Sequence, residues 1–170
     1  MQPATSSFLK RTFVSGTVSG VSAMLAAALA GKKESHSYVA PINATSHILF
    51  GDEAARHSKP SVKYTGTGFL LNHGAALMWS AIYGSLVEPR MSRWFARRPA
   101  LAPLSPVLSA AAVSAGAYVT DYILIPKRFT PGWEKRVSGK SVAMIFGALA
   151  IGMAVSSLLT QDPDAQLTHG

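Results

Sequence analysis

The chain has 170 residues, of which 48% are hydrophobic and 14% charged, with a mean hydropathy of +0.22. An average soluble protein carries about 25% charged residues. The net charge is +8 and there is no cysteine, which excludes disulfides, thiolate metal sites and cysteine nucleophiles. The charges are expelled from four windows and gathered between them, the pattern of a multi-span membrane protein. The basic residues flank apolar segments instead of sharing one soluble face. The expected partners are therefore membrane lipids, anionic headgroups included, and not nucleic acid.

The windows are residues 12–31, 68–87, 106–125 and 141–160. Each has about the 20 residues that a helix needs to cross a hydrocarbon layer about 30 Å thick. A lone strand would leave backbone groups unpaired in lipid, so helix is the expected form. Residues 1–11 and 161–170 read as tails of a single domain, 12–160. The expected fold is all-α: an integral membrane bundle of four transmembrane helices with a short interfacial helix in the first loop.

The first window, "TFVSGTVSGVSAMLAAALAG", lies between Lys10–Arg11 and Lys32–Lys33. It has two readings. A basic start, an apolar stretch and an A-x-A pattern ending at Ala30 fit a cleaved signal peptide. Gly16-x-x-x-Gly20 fits a retained helix that packs closely on a neighbour. The loop that follows contains "INATSHILFGDEAARHSK", which reads as a short helix capped by Asn43 or Thr45. Asp52–Arg56 and Glu53–His57 are i,i+4 pairs on it. Asn43-Ala44-Thr45 also fits a glycosylation sequon, a short pattern that often arises by chance.

In the second window Asn72, Ala76, Ser80 and Gly84 recur every four residues, one small and weakly polar stripe. The third has Ala110, Ser114, Ala117 and Asp121 on a similar stripe, begins at Pro103 and Pro106, and ends at Pro126. The fourth has Gly147, Ala150 and Ala154. Such stripes let backbones approach, which lipid-embedded helices need because apolar area does not drive their association. Trp94 and Trp133 fall just outside windows, where amphipathic rings favour the interface. Loops one and three hold Lys32, Lys33, Arg56, Lys59, Lys63, Lys127, Arg128, Lys135, Arg136 and Lys140. The opposite side holds Lys10, Arg11, Arg90, Arg93, Arg97 and Arg98, so the positive-inside rule puts loops one and three in the cytoplasm.

The candidate site is a set of polar groups inside the windows. Asp121 precedes Pro126 by five residues, about 7 Å inside the helix end. His73 follows the start of the second window by five residues, and Asn72 is beside it. The second and third helices run antiparallel, which places His73 and Asp121 at similar depth. An ionised carboxylate there costs a few kcal/mol unless it is protonated or paired, and His73 and Arg128 are its candidate partners. Two readings of Asp121 stand: a structural group that snorkels to headgroups or caps a neighbour, and a proton-relay or ligand site. Folded back over this mouth, the loop-one helix would bring His47, Asp52 and Glu53 above it. His47, Asp52 and His57 are five apart, which is not a metal-binding spacing. His73 is alone among histidines in a window, which argues against a bis-histidine heme. No catalytic motif is present, so no metal, cofactor or enzymatic activity is expected.

"INATSHILFGDEAARH" followed by "DYILIPKRFTPGWEKR" resembles small uncharacterised inner-membrane proteins of proteobacteria, the YagU-like family, over residues 41–139. The resemblance implies a multi-pass inner-membrane protein with no established biochemical activity, and an association with acid tolerance. It carries no catalytic residues. Two functions follow as expectations. One is a structural or accessory membrane protein that packs with lipid, with a second copy of itself or with a larger complex. The other is a small proton-linked transporter or channel that uses His73 and Asp121.

Overall fold

The computed structural model describes residues 3–98 and 100–160. Among them every regular element is helical. Three helices are long and apolar enough to cross a membrane: residues Ser6–Ser35, Ala102–Leu124 and Gly139–Thr160.

Helix α1, Pro3–Ser35, absorbs most of the expected N-terminal tail. Ala30, the expected cleavage position, is a buried residue of its interior. The helix ends where His36 takes a left-handed conformation (φ 55°) and Ser37 N donates to Gly31 O. The loop after it forms two short helices, α2 (Ala40–Thr45) and α3 (His47–Phe50). This corrects the single loop-one helix, for Gly51 (φ 71°) breaks the chain before Asp52. Asn43 is not a cap either. It lies inside α2, fully buried, where Nδ2 donates to His57 O (2.9 Å) and Lys59 O (3.1 Å) and Oδ1 accepts from Thr65 Oγ1 (2.7 Å). A side chain so enclosed is unavailable to a glycosyl donor. These bonds tie the returning strand of loop to α2 and hold it as a compact cap.

Helix α4, Thr67–Ile82, has 16 residues, fewer than a span needs alone. It runs through a π-turn, Tyr83–Val87, into α5, Glu88–Phe95. The turn has a local cause. Pro89 has no N–H for Ser85 O, so the ladder loses a rung, and Ser85 Oγ donates back to Ala81 O at 2.6 Å. The π-turn also shifts the stripe. Asn72, Ala76 and Ser80 are buried as expected, but Gly84 has open space around it and Tyr83 takes the buried place. Helix α6, Ser105–Val119, ends in another π-turn, Thr120–Leu124, closed by Ile125 N donating to Thr120 O (3.0 Å). Pro126 stops it. Helix α7 is Gly139–Thr160.

Helix α1 packs against both α7 and α4, and α6 packs on α7. The contacts are backbone-close. A Cβ at Gly16 would meet Leu77 Cα at 2.8 Å, and one at Gly20 would meet Ala76 Cβ at 3.1 Å. The Gly16/Gly20 motif thus seats α4 on α1. On α7 the expected contact glycine, Gly147, is exposed with nothing near it. Gly152 has that role, for a Cβ there would lie 2.4 Å from Ser19 Cα. Ala23, Ala27, Ala110 and Ala117 fill the core with Ile145 and Met153. Ser114 Oγ donates to Phe146 O (2.6 Å), so its buried hydroxyl fastens α6 to α7.

Candidate functional site

The mouth of the bundle is where α4 begins and α6 ends, and the loop-one cap folds over it. Gly68 makes this possible: its Cα lies so near Ile42 O that a Cβ would meet that oxygen. The segment after Pro126 closes the other side. Gly132 (φ 79°) turns it, Thr130 Oγ1 donates to Lys127 O and to Glu134 Oε1, and Trp133 swings inward. Trp133 is 4% exposed, with its ring 5.6 Å from that of Phe146. This overturns its assignment to the interface. Trp94 does stay outside, half-exposed, under the Arg98 guanidinium.

Beneath the cap is a partly open cavity of about 120 Å³. Asn72 and Asp121 line it from facing helices, Thr45 and Ile48 from the cap, and Trp79, Trp133 and Phe146 supply aromatic walls. It reaches the surface where Ala75 and Phe129, two of its lining residues, are exposed. The π-turn at Thr120–Leu124 matters here. It re-aims the last turn of α6, and π-turns recur at functional sites for that reason.

Three polar side chains of the lining lack partners, whereas Thr45 Oγ1 donates to Pro41 O. The Asp121 carboxylate has no hydrogen bond or ion pair among the described residues. Asn72 is 9% exposed, and its Nδ2 is buried with no partner. Trp133 Nε1 is buried with no partner as well. Neither nitrogen is accessible from the cavity, so the open polar group there is the lone Asp121 carboxylate, which calls for a donor from a ligand or ordered water.

Not every expected site residue joins them. His73 is not among the lining residues. Its ring stacks on Phe69 (5.9 Å between centroids), and its Nδ1, also unpartnered, lies where a Cβ on Gly20 of α1 would be 3.4 Å away. His73 therefore faces α1, and no hydrogen bond or ion pair joins it to Asp121 among the described residues. The helical step explains the divergence, since adjacent residues on a helix point about 100° apart and Asn72 takes the cavity side. Arg128 is exposed and makes no ion pair with Asp121.

The cap residues do gather above the mouth, with roles of their own. His47 is 4% exposed. Its Nδ1 lies 2.9 Å from Ala44 O and its Nε2 3.5 Å from Lys127 O, so it packs the cap onto the segment after α6. Asp52 is exposed and pairs with Lys135 instead of Arg56. That hydrogen bond and charge hold its carboxyl below its ordinary value of 3.8. Glu53 accepts from Tyr64 OH (2.9 Å) and pairs with His57 (3.5 Å), the expected i,i+4 contact. The Tyr64 and His57 hydrogen bonds lower its pKa.

The sequence reading missed Trp79, Trp133 and Phe146 as site residues. The signal was a tryptophan in the middle of the second window and a "TPGW" turn able to carry another inward. No family model, no curated protein and no solved structure matches the chain, so this geometry alone stands for its function.

Proposed function

We propose that this chain is a four-span accessory membrane protein, not an enzyme, whose capped mouth holds a lipid or small ligand. The observation that carries the reading is the cavity under the cap, lined by the unpartnered Asp121 carboxylate together with Asn72 and Trp133. In this reading residues 67–95 form the fourth crossing, because α4, its π-turn and α5 are continuous. A helix of that length extends about 43 Å, more than a hydrocarbon layer. The resemblance to proteobacterial inner-membrane proteins supports that membrane as its place. Small-residue faces leave room for a second copy or a larger complex, and the flanking lysines and arginines suit anionic headgroups.

A proton-linked transporter or channel would use His73 and Asp121 as titrating groups along one path. The placement of His73 against α1 weighs against it. Proton flux into liposomes tests the choice. The accessory reading expects no flux above empty vesicles, for the chain or for Asp121→Asn. A flux that the folded chain carries and Asp121→Asn loses would establish the transporter instead.

A further inference from the structure

We infer that the mouth cavity takes the headgroup end of an ethanolamine phospholipid, a primary ammonium beside an anionic oxygen. The inference rests on the reading of the chain as a membrane protein with a ligand at its mouth, and it names the ligand.

The chemistry of the lining selects a cation. Asp121 offers an acceptor with no donor, and a primary ammonium supplies N–H groups and the opposite charge. Trp79, Trp133, Phe129 and Phe146 surround the space with aromatic rings, which attract a cation through their faces.

Size and depth agree. About 120 Å³ equals roughly four waters at about 30 Å³ each. That suits an aminoethyl group and one phosphate oxygen, not a whole lipid. Asp121 lies in the π-turn that ends at Leu124, about 4 Å from the helix end and near headgroup level. Leu70, Ile123 and Leu124, on the same two helices as Ala75 and Asp121, are exposed and offer apolar surface for acyl chains.

The test uses the full chain in detergent micelles with Trp94→Phe, so that fluorescence comes from Trp79 and Trp133. Phosphatidylethanolamine, phosphatidylglycerol and free glycerophosphoethanolamine are titrated separately. The expected result is a saturable change with phosphatidylethanolamine and none with phosphatidylglycerol. Asp121→Asn should weaken it by at least about tenfold, the scale of one charge-assisted hydrogen bond, and Asp121→Glu should restore most of it. The Glu variant separates a lost site from a lost fold. Saturation by the free headgroup at equal affinity would keep the chemistry and overturn the lipid as its source. Equal binding of phosphatidylglycerol, or no effect of Asp121→Asn, overturns the inference. No saturable change with any of the three overturns it too and leaves the cavity to water. Binding in micelles does not depend on how many helices cross a membrane, so its failure is distinct from a failure of the four-span reading.

Discussion

Replacing Gly152 by alanine is expected to cost about 3 kcal/mol of bundle stability, and by leucine to prevent α1 and α7 from closing. The added Cβ would sit 2.4 Å from Ser19 Cα and 2.9 Å from Ser19 N. Both are backbone atoms, which do not rotate aside as a side chain would. The helices must separate, and overpacking in a close-packed interior costs about 1–3 kcal/mol even where neighbours give way. Separation also removes the dispersion contacts that hold helices together in lipid, where the hydrophobic effect is no help. Gly147→Ala is the control. It is on the same helix with nothing within 4 Å, and its thermal unfolding in detergent should match the parent. Equal midpoints for Gly152→Ala and Gly147→Ala would contradict the assigned packing.

Asn43→Ala should release the cap, with a loss of about 3 kcal/mol of local stability. The side chain makes three hydrogen bonds from a fully buried position, two to the carbonyls of His57 and Lys59 and one from Thr65. Truncation leaves those partners without it, and each orphaned buried group costs about 1–3 kcal/mol. The helices below should persist, because α1 packs directly against both α4 and α7. Limited proteolysis reads the difference: rapid cleavage near residues 57–60 in the variant, with the bundle fragment intact. Asn43→Asp keeps the acceptor for Thr65 but loses both donors, so it should be nearly as sensitive. A cap that resists protease in both variants would contradict the role given to Asn43.

Much of the bundle was legible because helices able to cross a membrane obey simple rules. Length and apolarity mark residues 12–31, 106–125 and 141–160, and all three are helices able to cross a membrane. Gly16 and Gly20 announced a close helix contact by their spacing, because Gly at both positions is what backbone approach requires, and the structure makes α4 the partner. What was hidden depends on breaks in periodicity. Pro89 moved the α4 stripe by one place through a π-turn, so Tyr83 replaced Gly84 in the core. Gly152 and Gly147 are equally small, and only the contact geometry with Ser19 separates them. In the cap, Gly51 could be seen as a glycine but not as the break that sends Asp52 to Lys135.

The candidate site was partly legible for the same reason. A carboxylate inside an apolar window is conspicuous, and Asp121 does face a cavity shared with Asn72. His73 was expected with it on depth alone. Depth does not fix azimuth, and the rotation per residue turns His73 toward Gly20. Trp133 was missed because its inward course is set by the left-handed Gly132 and the Thr130–Glu134 hydrogen bond, long after the window ends.

The most direct test is the sidedness of two loops. The chain has no cysteine, so single cysteines at Lys59 and at Arg97 can be labelled in intact cells with a membrane-impermeant maleimide. Four crossings place the cap and the α5–α6 loop on opposite sides, so one position should label in intact cells and the other only after lysis. Both labelling from the same side would mean that residues 67–95 do not cross, and would remove the mouth and its cavity from the membrane setting proposed for them.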